Sequence, residues 1–176
     1  FAANLARLIG LLTVVVAPVV VAHMMIPARG VVGAYTSVSL AERLRDRGLV
    51  SAKGEEIPRS VPRLFTAKFP NDWATLTPIS LRKRVFIAAL LPLVLRENEL
   101  VRSQRARVVR LLAQERRQRA ADQWLQERLI EYEVAPGAWD QLLHRMGEVP
   151  VSLALAQAAI ESGWGSSRFS LEGNAV

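Results

Sequence analysis

The segment PVSLALAQAAIESGWGSS, residues 150–167, decides how the carboxyl-terminal part of the chain folds. A proline at the first turn is followed by apolar residues at almost every position, which predicts a helix that Gly163 ends in a left-handed conformation. From Val151 to Glu161, the polar residues are Ser152, Gln157 and Glu161. A helix that is apolar nearly all round is a buried one. We therefore expect this helix to lie in a core and to present a narrow polar edge.

Glu161 combines two features that disfavour the charged form of a carboxyl group. Desolvation on a buried helix raises a carboxyl pKa, and the negative end of the helix dipole opposes an anion. A carboxyl group kept protonated is what a general acid requires. Gln157 lies one turn earlier on the same face, and Trp164 offers an aromatic surface for a sugar ring. The alternative is a solvent-exposed glutamate where a core helix stops, with Trp164 as ordinary packing.

The sequence VPVSLALAQAAIESGWGSSRFSLEGNAV, residues 149–176, resembles the opening of the catalytic domain of the bacterial glucosaminidase family, the peptidoglycan hydrolases of glycoside hydrolase family 73. It is similar in particular to the Bax-like envelope branch, which is unrelated to the apoptosis regulator of that name. The family pattern AQxxxESGWG is matched at residues 156–165. Its continuation, S-R-F…GN, is matched by Ser167, Arg168, Phe169, Gly173 and Asn174. Less specifically, RVFIAALLPLVLRENELVRSQRARVVRLL resembles the segment that precedes this domain in Bax-like proteins.

The resemblance implies a lysozyme-like α+β domain, of which this chain carries the start. It also implies hydrolysis of β-1,4 bonds after N-acetylglucosamine in peptidoglycan glycan strands. Glu161 then occupies the position of the catalytic acid, and Gln157 and Trp164 have a supporting or sugar-contacting role.

Glycoside hydrolysis commonly needs a second carboxylate, as nucleophile or as base for water. Glu172 is a candidate by residue type, but we expect the partner, with the β-lobe, to lie in sequence beyond Val176. A lytic transglycosylase is the enzymatic alternative, since it shares the lysozyme-like arrangement and can carry a Glu-Ser pair. The stretch ESGWGSSRF favours the hydrolase.

A hydrophobic segment from Leu8 to Ala28 carries no formal charge and is bounded by Arg7 and Arg29. It is long enough to cross a bilayer as a helix. A cleaved signal peptide is the alternative. Either one delivers the remainder across a membrane, which predicts an envelope location, inner-membrane anchored or periplasmic. Because the chain starts at Phe1, we expect it to be a fragment.

The organisation predicted from these patterns has four parts. They are an anchor or signal segment at 1–29, a linker at 30–77, a basic helical region at 78–147 and the start of the catalytic domain at 148–176. Aromatic residues in the linker are expected to pack it onto a domain, namely Phe65, Phe69 and Trp73.

The helices expected in these parts have local signals. A helical patch around Leu40 to Arg47 is expected to end at Gly48, and a short helix is expected from Ala138 to Met146. Thr77 and Pro78 are expected to start a long helix that Pro92 kinks. The apolar stripe of this long helix begins with Leu81, Val85, Ala88 and Ala89. No alternating strand pattern is found, so the chain is predicted to be mainly α.

The 176 residues are 51% hydrophobic and include no cysteine, which excludes disulfides and thiolate sites. No histidine cluster has metal spacing, and no metal or cofactor is expected; His23 and His144 are expected to be structural or exposed. The net charge of +7 is concentrated between Arg82 and Arg119, with eleven basic residues against three glutamates. Such a surface attracts polyanions.

The second functional hypothesis is therefore non-enzymatic. It is an anchored helical module whose arginine-rich face, Arg96 to Arg119, binds an anionic envelope partner. Nucleic acid is not expected, because no recognised binding motif accompanies the arginines.

Overall fold

The computed structural model describes residues 36–50, 61–66, 68–114 and 119–167. The helices are α1 (Ser37–Asp46), α2 (Ile79–Leu112), α3 (Arg119–Glu131), α4 (Trp139–Arg145) and α5 (Val151–Ser162). A short 3-10 turn, Trp73–Thr75, lies between α1 and α2, and the described ranges contain no β-strand. The prediction of a mainly helical chain is confirmed for these residues.

The predicted membrane segment, residues 8–28, lies outside the described residues. Among the helices that are described, none combines the length and the apolar character that crossing a bilayer requires. The lysozyme-like domain stays a prediction.

Helix α1 begins at a capped N-terminus. The hydroxyl of Thr36 accepts a hydrogen bond from the backbone N–H of Ser39 at 3.2 Å, which satisfies one free amide of the first turn. The buried apolar positions are Leu40, Ala41 and Leu44. The helix ends before Gly48, as predicted, and the N–H of Leu49 returns to the carbonyl of Leu44 at 2.8 Å.

Helix α2 starts directly after Thr77 and Pro78 and is 34 residues long. The first half buries much of its predicted apolar stripe, at Val85, Ala88 and Ala89. The helix continues past Pro92, and a kink there stays a prediction. The chain forms two compact units, and the boundary between them falls inside α2, after Val94. Helix α2 therefore supplies residues to both units.

Unit 1 comprises the described residues up to Val94 together with those from Val151 onward. Three aromatic side chains form the centre of its core. The ring centroid of Phe69 lies 4.4 Å from that of Trp73 and 5.6 Å from that of Phe86. Phe65 is half-buried. The predicted packing of the linker aromatics is therefore confirmed for Phe69 and Trp73, which are buried in the core.

Unit 2 comprises Leu95–Pro150. Its described core residues are Val108, Leu125, Leu129, Val134, Leu142 and Met146. The side-chain amide of Asn98, which is buried, pairs with the backbone of Val149. Nδ2 donates to the Val149 carbonyl at 2.8 Å, and Oδ1 accepts from its N–H at 3.0 Å. Both polar atoms of this buried side chain are thereby satisfied.

The turn that follows helix α3 contains a residue with an unfavourable backbone conformation. Glu133 has φ 52°, the left-handed position that glycine usually takes after a helix. The N–H of Val134 donates to the carbonyl of Leu129 at 2.8 Å, and that of Glu133 to Ile130 at 3.0 Å. The backbone of this turn is therefore well hydrogen-bonded, but the left-handed conformation costs free energy because Glu133 carries a Cβ atom.

Replacing Glu133 with glycine is expected to raise the free energy of unfolding by about 1 kcal/mol, because glycine adopts this conformation without steric cost. The measurement is urea denaturation followed by circular dichroism. Glu127→Gly is the control: Glu127 lies inside α3, where glycine is expected to lower the free energy of unfolding by about 1 kcal/mol. Equal effects in the two variants would contradict the role given to the backbone conformation of Glu133.

Candidate functional site

Glu161 lies near the carboxyl end of α5, and its side chain is exposed to solvent. The side-chain amide of Gln157 donates a hydrogen bond to Oε1 of Glu161 at 2.9 Å. The prediction that these two residues share one face is confirmed. Gln157 is half-buried, which limits the movement of its side chain. Its hydrogen bond therefore holds one carboxylate oxygen of Glu161 in place. For the other oxygen, Oε2, no partner is found among the described residues.

The prediction that α5 is a buried helix is wrong for the described part of the chain. Its buried residues are Ala159 and Ser162. Leu153 remains 44% exposed and Ile160 80% exposed. Composition predicted how much apolar surface the helix has, whereas burial depends on which faces meet a neighbour. The desolvation argument for a protonated Glu161 therefore does not hold in this structure.

The turn after α5 is a Schellman motif, as the placement of Gly163 predicted. Gly163 has φ 57°, and its N–H donates to the carbonyl of Ile160 at 3.4 Å. The N–H of Trp164 donates to the carbonyl of Ala159 at 2.9 Å. Trp164 itself has φ 59°, a conformation that costs a non-glycine residue free energy. The turn is therefore tight and locally strained.

Ser162 is the residue of this stretch whose role the sequence interpretation missed. Its side chain is 3% exposed. The hydroxyl donates to the carbonyl of Ala158 at 2.6 Å and accepts from the N–H of Gly165 at 2.9 Å. A serine four residues after a helical carbonyl is the pattern for such a bond. Ser162 thus connects the last turn of α5 to the backbone beyond it.

Trp164 is held by both its backbone and its ring. Its carbonyl accepts a hydrogen bond from the indole Nε1 of Trp73 at 2.8 Å. The ring packs edge to face on Phe86, with centroids 5.7 Å apart, and Nζ of Lys83 lies 4.8 Å from its centroid. The ring is half-buried against the core of unit 1. Ordinary packing, the alternative left open for Trp164, is therefore part of its role, and sugar contact stays a prediction.

Several predicted positions lie outside the described residues. They are Arg168, Phe169, Glu172, Gly173 and Asn174.

Within unit 1, Asp72 is a carboxylate already engaged in the fold. It accepts hydrogen bonds from the backbone N–H of Ser37 at 2.8 Å and from its hydroxyl at 3.1 Å. An acidic group at the first turn of a helix is favoured by the helix dipole. Asp72 therefore has a structural role at the start of α1.

No group of three or more metal-ligating side chains occurs within the described ranges. Comparison of the chain with models of protein families, with curated proteins and with solved structures finds no match.

Proposed function

We propose that this chain belongs to a membrane-anchored peptidoglycan hydrolase of the bacterial envelope, which cleaves β-1,4 bonds after N-acetylglucosamine with Glu161 as general acid. One observation carries the proposal. Within the ESGWG stretch, Ser162 is buried and bonded through its hydroxyl, and the backbone groups of Gly163 and Trp164 are hydrogen-bonded. Glu161 faces solvent, and the described residues give it no packing role. An exposed acidic side chain, within a stretch that resembles a catalytic motif, supports the assignment of Glu161 as the acid.

The proposed step is protonation of the glycosidic oxygen. Glu161 gives its proton to this oxygen as the bond to the anomeric carbon breaks, so that the leaving sugar departs as a neutral alcohol. The oxygen of a water molecule bonds to the anomeric carbon, and the proton that this water loses goes to a second carboxylate or back to Glu161. Gln157 holds one oxygen of the carboxyl group and leaves the other to carry the proton. In this proposal Gln157 is a positioning residue and Trp164 a sugar-contacting one.

Accessibility supports a polymeric substrate. A carboxyl group at an exposed helix end can be approached by a glycan strand without a conformational opening. Gly163, two positions after Glu161, is exposed and carries no side chain that could obstruct a sugar chain there.

Mass analysis of digestion products tests the reaction. We expect the full-length protein, incubated with purified peptidoglycan, to release fragments ending in a reducing N-acetylglucosamine that borohydride converts to the alcohol. Fragments with an anhydromuramic end, lighter by one water, would instead identify a lytic transglycosylase. Salt-sensitive binding to the wall with no released fragment would favour the non-enzymatic module that binds through the arginine-rich face.

A further inference from the structure

A surface depression of about 350 Å³ lies within unit 2, and all of its lining residues belong to that unit. It is formed by α2 and by the residues that follow α4. The lining residues are Arg102, Arg105, Ala106, Met146, Gly147 and Glu148. Two of them are positive and one is negative, which leaves one net positive charge at a partly apolar surface.

The charged wall of this depression is an ion pair with fixed geometry. Arg102 donates to Glu148 twice, from Nε to Oε1 at 2.9 Å and from Nη2 to Oε2 at 2.6 Å. These hydrogen bonds hold the pKa of Glu148 below its ordinary value and raise the pKa of Arg102. Both groups are therefore charged at neutral pH. An arginine paired to a carboxylate in this way has a defined orientation.

Arg105 has its guanidinium anchored at one end. Its Nε donates to the carbonyl of Leu143 at 3.3 Å. Among the described residues no partner is found for its two Nη atoms, and the side chain is exposed. Two parallel N–H groups on a planar guanidinium match the two oxygens of a carboxylate. The hydrogen bond to Leu143 already restricts the Arg105 side chain, so that binding a ligand costs less conformational entropy.

We propose that this depression binds a carboxylate group carried on a short apolar stem, with Arg105 as its principal ligand. Charge favours a monoanion. One carboxylate neutralises the single net positive charge of the depression, whereas a phosphate dianion would leave one excess negative charge beside Glu148. Ala106, which is exposed, supplies apolar surface beside the stem. Such a group occurs at peptide carboxyl termini and in free short-chain acids. The proposal does not depend on the proposed hydrolase activity.

The test is titration of the full chain, labelled with ¹⁵N, while the side-chain Nε–H resonance of Arg105 is followed. The probes are N-acetylalanine, propionate, the neutral N-acetylalanine methylamide and inorganic phosphate. We expect both carboxylates to shift the resonance in a saturable way and the neutral amide to have no effect. A preference for N-acetylalanine identifies peptide ends and a preference for propionate identifies free acids, and either result supports the site. Tighter binding of phosphate would overturn the assignment to carboxylate.

Matched arginine variants separate a specific site from general attraction, with binding followed through the backbone N–H resonance of residue 105. Arg105→Gln is expected to weaken N-acetylalanine binding about ten- to a hundredfold, as expected for loss of a hydrogen bond to a charged group. Arg105→Lys keeps the charge but not the fork and is expected to lose less. Arg110→Gln removes the same charge from the exposed side of α2, away from the depression, and is expected to leave affinity unchanged. Equal weakening by Arg105→Gln and Arg110→Gln would overturn the proposal.

Discussion

Replacing Glu161 with glutamine is expected to abolish peptidoglycan digestion by the full-length protein while leaving its fold unchanged. Glutamine has the shape of glutamate but no acidic proton, and a positioned general acid contributes about 10²- to 10⁴-fold to the rate. The fold is expected to survive, because the Glu161 side chain is exposed and accepts a hydrogen bond from Gln157 that glutamine can preserve. A glutamine carbonyl oxygen can accept that same bond. The measurement is release of reducing sugar from purified wall, beside thermal unfolding of both proteins.

Helix α3 offers a matched control for this substitution. There the amide of Gln123 donates to Oε1 of Glu127 at 3.2 Å, with the same four-residue spacing and in an exposed position. Glu127→Gln therefore removes an equivalent charge and preserves an equivalent hydrogen bond. We expect full activity from it. Undiminished digestion by Glu161→Gln, or a matching loss in Glu127→Gln, would show that Glu161 is not the acid.

Helix positions were predictable because their signals are local. Gly48 and Gly163 were each expected to end a helix, and both lie at left-handed positions directly after one. The short helix expected from Ala138 to Met146 is observed as Trp139–Arg145. Periodic apolar residues and a terminating glycine act over one or two turns, so a single sequence contains the information they need.

Burial was less predictable, because it depends on neighbours that the helix itself does not encode. An apolar helix can bury every face, but α5 buries the face that carries Ala159 and Ser162. Ile160, directly before Glu161, is 80% exposed. The expectation of a desolvated glutamate depended on that burial. For the candidate site, therefore, spacing correctly predicted the pairing of Gln157 with Glu161 but not the solvent environment of the pair.

The contact that organises the turn after α5 lies beyond local inference. Trp73 donates to the carbonyl of Trp164 across 91 positions of sequence. The sequence interpretation expected Trp73 to pack onto a domain and Trp164 to offer a surface for a sugar ring, without linking the two. Which aromatic side chain meets which turn is decided by the arrangement of α2 and α5 in unit 1, and that arrangement is a property of the whole core.

Replacing Gly165 with alanine is expected to lower the free energy of unfolding by about 2 to 5 kcal/mol, a large share of the typical stability of a domain. Gly165 has φ 74°, which a side chain disfavours. In addition, a Cβ at this position would lie 2.9 Å from Nε1 of Trp73 and 3.3 Å from Cδ2 of Phe86. Both aromatic side chains are fully buried, so neither can move aside without disturbing the core. Urea denaturation with tryptophan fluorescence measures the loss.

Gly163→Ala separates backbone strain from steric overlap. Gly163 has a similar φ of 57°, but a Cβ there would meet Ser166 Oγ at 3.6 Å and Ser167 N at 3.8 Å, which are ordinary contacts. We expect it to lose only about 1 kcal/mol, the cost of a left-handed conformation. Equal losses in the two variants would mean that the indole of Trp73 does not constrain the turn. A larger loss at Gly165 would mean that this glycine is required by the packing of the turn against Trp73 and Phe86.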